Sequence, residues 1–363
     1  MAKKLESIRM LSIVIHAMIG IELITMPATA VKYARNDAWV SPIIIGIIIL
    51  INVKQAFYAY KKYPGLNHAE LLEELYGKFF GKTLILISII YNIYINGISM
   101  RLFAESVNMF LLDQTPIFVI IMATLAVVLY CILMDLETIS IIFDVLLPIL
   151  LFFIFLLLAI SISAVTPYNI YPPMHNGVLP VIKGALGSLN PGAASFVFAF
   201  LLPMFAEPQT VKKYVNMGVI IAAITYSAIV ILCIMVFGAT EINYLLFPTL
   251  TLSKAIQLKS EVFERAESLF MAAWIPNAIT TFIAYFLIST ICTKTFFNTK
   301  KDTAVKLLQI PFIFIIALLP RNQLQMFKML EWANIGINFL TFLYLPMVTA
   351  TVFLKKGRTR NEK

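Results

Sequence analysis

The stretch "HAMIGIELITMP", His16 to Pro27, sets a carboxylate, Glu22, between Gly20 and Pro27 inside an apolar run from Ile8 to Ala34. A carboxylate in hydrocarbon costs from ~3 to more than 10 kcal/mol, so it must face a partner or water. Two functional roles suit it: pairing with a ligand ammonium, or taking up a proton. A protein partner or a wet vestibule would satisfy it equally. Other polar side chains also interrupt apolar runs. Tyr91 and Asn92 lie at membrane depth with Asn96 one turn on, and Thr280 stands next to Thr281. Arg101 and Glu105 form an i,i+4 pair, and Glu264, Arg265 and Glu267 cluster in sequence; such pairs usually serve structure, with a moving gate as the alternative. His16, His68 and His175 fall in different segments. No nucleophile–base or metal-ligand pattern appears, so the reading is of a non-enzyme with no catalytic residues, no metal and no cofactor.

The chain that positions these groups has 363 residues, of which 60% are hydrophobic and 13% charged, with mean hydropathy +0.89. A soluble domain would carry roughly 25% charged residues. Apolar runs of about 20 residues recur throughout, each able to cross ~30 Å of hydrocarbon. The ~10-residue alternation of a β-barrel is absent. The composition predicts an all-α polytopic membrane protein embedded in the lipid bilayer. The net charge of +9 collects at helix ends, where it sets orientation, and no nucleic-acid motif accompanies it. Cys131, Cys233 and Cys292 lie inside apolar runs and read as small core hydrophobes. Ala28-Thr29-Ala30 mimics a signal-peptidase site, yet the segment before it is long enough to span.

Ten spans are expected: 8–34, 38–60, 80–110, 116–134, 138–164, 181–211, 215–239, 265–293, 305–319 and 335–354. Amphipathic pieces lie between them at Asn67 to Tyr76, Val178 to Leu189 and Pro248 to Leu258. No linker divides the chain, so residues 1–363 read as one transmembrane domain with a basic tail at 355–363. The basic residues, among them Lys3, Lys4, Arg9, Lys61, Lys62, Lys212, Lys213, Lys300 and Lys301, place both termini in the cytoplasm.

Ten spans divide into five plus five, repeat one about 8–164 and repeat two about 181–354, which makes the first and sixth spans equivalent. Both carry helix breakers. Counting inward from Arg9 reaches mid-membrane at Gly20 to Glu22; counting back from Lys212 reaches it at Ser195 to Phe200, between Pro191-Gly192 and Pro203. A broken helix in hydrocarbon frees backbone N–H and C=O groups at several kcal/mol each, so it persists only where it lines a cavity or meets a ligand. Paired breaks in inverted repeats point to a transporter-type site, with an ordinary proline kink as the alternative for either one. The candidate ligand residues are Gly20, Ile21, Glu22, Tyr91 and Ser195, with Val197, Phe198 and Phe339 as apolar pocket walls.

The chain resembles the spore germination protein family of the GerAB type, within the amino acid–polyamine–organocation transporter superfamily. "FPTLTLSKAIQLKSEVFERAESLFMAAW" (Phe247 to Trp274) carries the resemblance, with "IGIELITMP" (Ile19 to Pro27), "RLFAE" (Arg101 to Glu105) and the ten-span length. The resemblance implies a LeuT-like fold and the B subunit of a nutrient germinant receptor in the inner membrane of the bacterial spore. Its implied partners are a small-molecule nutrient, often an amino acid, an A-type membrane subunit and a C-type lipoprotein subunit. Tyr91 matches a family position linked to the ligand pocket. Thr280 and Thr281 match the adjacent hydroxyls that hold a cation in sodium-coupled relatives, so they are a possible cation site. The lysine that proton-coupled relatives often carry in the fifth span is missing, leaving Asp144. Glu22 departs from the family's second small residue and would repel a ligand carboxylate beside it. An amino acid or amine permease working by alternating access is the competing reading.

Overall fold

The computed structural model describes residues 4–175, 177–257 and 266–355. The tail beyond Lys355 and all of 258–265 in the family-like segment, including Glu264 and Arg265, lie outside the described residues, as does the Glu267 side chain. The fourteen described helices are α1 (Arg9–Ile19), α2 (Met26–Ala34), α3 (Ser41–Lys62), α4 (His68–Phe110), α5 (Ile117–Ile132), α6 (Leu136–Ser161), α7 (Val178–Gly187), α8 (Ala194–Leu201), α9 (Pro208–Ile242), α10 (Pro248–Gln257), α11 (Ala266–Phe297), α12 (Asp302–Leu318), α13 (Gln323–Phe339) and α14 (Leu345–Leu354). Among the described residues, six helical runs are long and apolar enough to cross a membrane, or seven with the bent pair formed by α7 and Asn190–Met204.

Together they make about ten membrane-spanning bodies. α1 and α2 form the broken first span, and α7 and α8 the broken sixth. α13 and α14 run on through a π turn at Leu340–Tyr344 as the tenth. The two halves repeat one order: broken span, long helix, short amphipathic helix, long helix, two more helices. In the first half the short helix is the start of α4, separated from its membrane portion at Gly77, where φ is +75°. That left-handed backbone is open to glycine and strained for other residues. In the second half it is α10.

Local signals explain the ends. Asn67 and Glu70 form a reciprocal capping box at the start of α4, at 3.0 and 2.9 Å. Asp135 caps α6 and Asn322 caps α13, each accepting a backbone N–H at 2.9 Å. Each cap satisfies an N–H that the first helical turn leaves without a partner.

Three spans differ from the sequence expectation. The sixth ends at Leu201–Met204, and an extended Phe205 precedes α9, so Lys212 belongs to the seventh span. Depth counted back from Lys212 therefore stops several residues short: the break lies at Ser188–Ala193, not at Ser195–Phe200. Val178 to Leu189, expected as a piece before the sixth span, is the first half of that span, bent 58° from the second. The tenth starts at Gln323 rather than near 335, its polar first turns being held by the Asn322 cap.

The broken spans occupy the centre. α1 packs against α6, α8, α9 and α11; α2 packs against α7 and α9; and α4 lies along α11. Near the N-terminus, Leu5 forms an isolated β-bridge with Phe205 at the end of the sixth span. At this N-terminal face a cavity of about 860 Å³ is lined by Leu201, Pro203, Glu70, Asp135, Lys294 and Lys306, among others.

Candidate functional site

The first break begins where α1 stops at Ile19 and Gly20 turns out of the helix at ψ −117°. A short 3-10 turn, Ile21–Ile24, follows, and α2 starts at Met26 with Pro27 in its first turn. Pro27 lacks the N–H that position would leave unpaired. Five carbonyls around the break are met by side chains from other helices. Thr281 donates to the His16 carbonyl at 2.8 Å, Asn277 to Ile19 at 3.0 Å and Trp274 to Gly20 at 3.2 Å, all from α11. Tyr226 of α9 donates to the Met18 carbonyl, and Thr249 of α10 to Leu23 at 2.7 Å. The break is therefore a clamped structure.

Trp274 also stacks on Phe103, with ring centroids 5.5 Å apart. Trp274→Phe keeps most of that packing and deletes only the donor. Leaving the buried Gly20 carbonyl unpaired should lower stability by about 1–3 kcal/mol, read as a fall in thermal unfolding temperature in detergent.

Glu22 sits in the 3-10 turn with 7% of its surface exposed. The Asn190 amide, in the sixth-span break, and the Thr25 hydroxyl lie against its carboxylate. Tyr91 of α4, Tyr226 of α9 and Tyr285 of α11 are within electrostatic reach of it. Four buried polar atoms in this group have no hydrogen-bond partner: Glu22 Oε1, Asn190 Oδ1, and the Tyr91 and Tyr285 hydroxyls. Buried polar atoms are paired in the great majority of cases. The unpaired ones here lie on both breaks and on two flanking helices.

The other expected residues distribute unevenly. Ile21 is fully buried in the turn. Tyr91 packs so closely on the tenth span that a Cβ on Gly336 would stand 2.9 Å from its ring. Ser195 lies within α8, donating to the Gly192 carbonyl at 2.6 Å and accepting from Asn52 at 3.4 Å. Val197 and Phe198 are buried within α8, past the break. Phe339 is 44% exposed on the outside of the bundle, so the tenth span faces Tyr91 with Gly336 instead. Asn92 bonds the Ser88 carbonyl one turn back at 2.8 Å, and Asn96 ties α4 to the Phe282 carbonyl of α11 at 3.2 Å.

Thr280 and Thr281 are both committed to protein partners. Thr281 donates to His16 O, and Thr280 to the Asn277 carbonyl at 2.6 Å, with His16 Nδ1 3.0 Å away. His16 Nδ1 meets Asn277 Oδ1 at 2.5 Å, and its Nε2 meets the Phe143 carbonyl at 3.0 Å. Imidazole and amide thus stand between α1 and α11 where a cation was expected. Asp144 accepts from Ser12 of α1. Among the described residues, no three His, Cys, Asp or Glu side chains gather as a metal site. Sequence reasoning missed Asn190, Tyr226, Trp274, Asn277 and Tyr285. The signal for two of them was present in "WIPNAITT", where an asparagine and an indole flank a proline inside an apolar run.

A family model described as spore germination protein matches residues 4–326. The chain belongs to that family. Among its relatives, spore germination protein YndE of Bacillus subtilis (strain 168) is 26% identical over 355 residues, 97% of this chain and 96% of the relative. Spore germination protein A2 of the same organism is 27% identical, covering 98% and 97%. Among solved structures, a manganese transporter mutant from Eremococcus coleocola superposes with a TM-score of 0.67 at 12% identity, over 98% of this chain and 81% of the other. That likeness concerns the fold. The germination protein is thus a multi-pass membrane protein with a LeuT-like arrangement of two inverted five-helix repeats, in a family of germination proteins and permease-like folds rather than of enzymes.

Proposed function

We propose that this germination protein is the B subunit of a nutrient germinant receptor. It holds a small nutrient between the two helix breaks and passes the binding event to the rest of the receptor. The observation that carries the reading is the set of unpaired buried atoms on Glu22, Asn190, Tyr91 and Tyr285, which come from four different segments of one centre. A guest that pairs with them prefers whichever arrangement of the broken helices brings them together, and that difference in affinity is what shifts a two-state protein. The chain acts as one transmembrane unit in the inner membrane of the spore, with both termini cytoplasmic and with A-type and C-type subunits as partners.

The test uses spores in which this chain, with its own A-type and C-type subunits, is the sole receptor. Asn190→Ala and Tyr91→Leu should raise the nutrient concentration for half-maximal germination at least tenfold while leaving the amount of protein in the spore membrane unchanged. An unaltered dose response in both variants would remove the site.

The cavity at the N-terminal face favours a second reading, a permease that releases its ligand there. Saturable uptake of labelled nutrient into liposomes holding this chain alone would establish it.

A further inference from the structure

We infer that the guest of this site is led by a protonated amine, not by a carboxylate. The inference rests on the reading that the pocket holds a ligand, and it names the ligand's class.

The accounting of donors and acceptors points one way. Of the four unpaired atoms, Asn190 Oδ1 and, in the ionised carboxylate, Glu22 Oε1 only accept, and the Tyr91 and Tyr285 hydroxyls either accept or donate. An ammonium offers three donors and no acceptor, so it can satisfy both strict acceptors and a phenol at once. A carboxylate offers none of what Glu22 and Asn190 Oδ1 lack. A neutral alcohol brings one donor and no charge.

The location strengthens the case. In broken-helix sites an incoming carboxylate is received at half-helix N-termini. Here Glu22 stands in the turn directly before α2 and against Asn190 in the turn directly before α8. The chain's own carboxylate lies where a ligand carboxylate would be received, and a second anion beside it would be repelled. Five carbonyls around the first break, those of His16, Met18, Ile19, Gly20 and Leu23, already accept bonds from Thr281, Tyr226, Asn277, Trp274 and Thr249, which leaves them less free for a metal cation. Three tyrosines, Tyr91, Tyr226 and Tyr285, lie within electrostatic reach of the carboxylate, and aromatic rings near a site favour an organic ammonium over an anion. Ligands of this class are primary alkylamines, diamines, and amino acids whose carboxylate lies at the far end of the molecule.

The experiment is titration calorimetry on the purified full chain with n-butylamine, 1,4-diaminobutane, L-alanine, 1-butanol and potassium chloride. Glu22→Gln and Tyr285→Phe are the variants, and Phe339→Ala is the control outside the site. Butylamine should bind wild type and the control alike. Glu22→Gln should weaken it by about tenfold to a hundredfold, as expected for loss of a charged hydrogen bond, and Tyr285→Phe by a smaller factor. Butanol and potassium should not bind. If L-alanine binds wild type and Glu22→Gln equally while butylamine does not bind, the amine assignment is wrong and the pocket stands. Butylamine affinity unchanged in both variants overturns the assignment in the same way, as does potassium binding that depends on Glu22. If no probe binds wild type and germination nutrients also fail to bind, the pocket reading falls as well.

Discussion

Gly20→Ala is expected to leave little folded protein. A Cβ at residue 20 would stand 1.6 Å from Thr281 Oγ1 and 2.6 Å from Thr281 Cβ. Rotating the hydroxyl away does not relieve the second clash, so α1 and α11 must separate. Separation in turn stretches the bonds from Thr281, Asn277 and Trp274 to the His16, Ile19 and Gly20 carbonyls. Overpacking costs about 1–3 kcal/mol, and each strained buried carbonyl adds about 1 kcal/mol or more. The sum reaches the lower end of the whole stability of a typical fold, about 5–15 kcal/mol. Size-exclusion profiles of detergent-solubilised protein and thermal unfolding give the readout. Adding Thr281→Gly to Gly20→Ala removes the clashing atoms and should recover part of the folded fraction. Gly20→Ala folding as well as wild type would show that the two helices do not approach as described.

Glu105→Ala should be the second large effect. Arg101 and Glu105 are 7% and 5% exposed and bond one another through Nη2 and Oε1 at 2.8 Å. Arg101 also donates to the Ala317 carbonyl at the end of α12, at 3.4 Å, and Gln323 at the start of α13 donates to Glu105 at 3.3 Å. The pair fastens the third span to the turn between the ninth and tenth. Removing one partner strands a buried charge, at about 3–5 kcal/mol. Replacing both with apolar side chains, Arg101→Met with Glu105→Leu, removes the desolvation cost together with the attraction and should lie within about 1 kcal/mol of wild type. Thermal unfolding of the three variants checks this. Equal losses from the single and double changes would instead assign the pair a packing role.

How much of this was visible in the sequence depends on whether the cause is local. Gly20 and Pro27 mark the first break because glycine and proline act on their own backbone. Asn67 and Glu70 mark the start of α4 because a capping box closes within four residues. The sixth-span break is hidden because Lys212 belongs to the seventh span, and the extended Phe205 that separates the two follows an apolar stretch that looks helical throughout. Phe339 was assigned to the pocket although the tenth span is apolar nearly all round, which gives no helical phase, and the π turn at Leu340–Tyr344 shifts phase further along. The clamps on the first break were hidden for another reason. Trp274, Asn277 and Thr281 meet carbonyls more than 250 residues away in sequence, and no local pattern records such a pairing. Glu22 was legible as costly, and its neighbours Asn190 and Tyr285 became visible only in three dimensions.

The most direct measurement of the central claim uses Trp274, whose indole N–H holds the Gly20 carbonyl at the break. In a variant carrying Trp39→Phe and Trp332→Phe it is the sole tryptophan, so its emission reports on the site. On the proposed receptor role, nutrients that germinate spores carrying this chain as sole B-type subunit should shift that emission saturably, at concentrations matching the germination response, and Asn190→Ala should abolish the shift. Nutrients that trigger germination while leaving Trp274 emission unchanged, with Asn190→Ala germinating normally, would contradict the account.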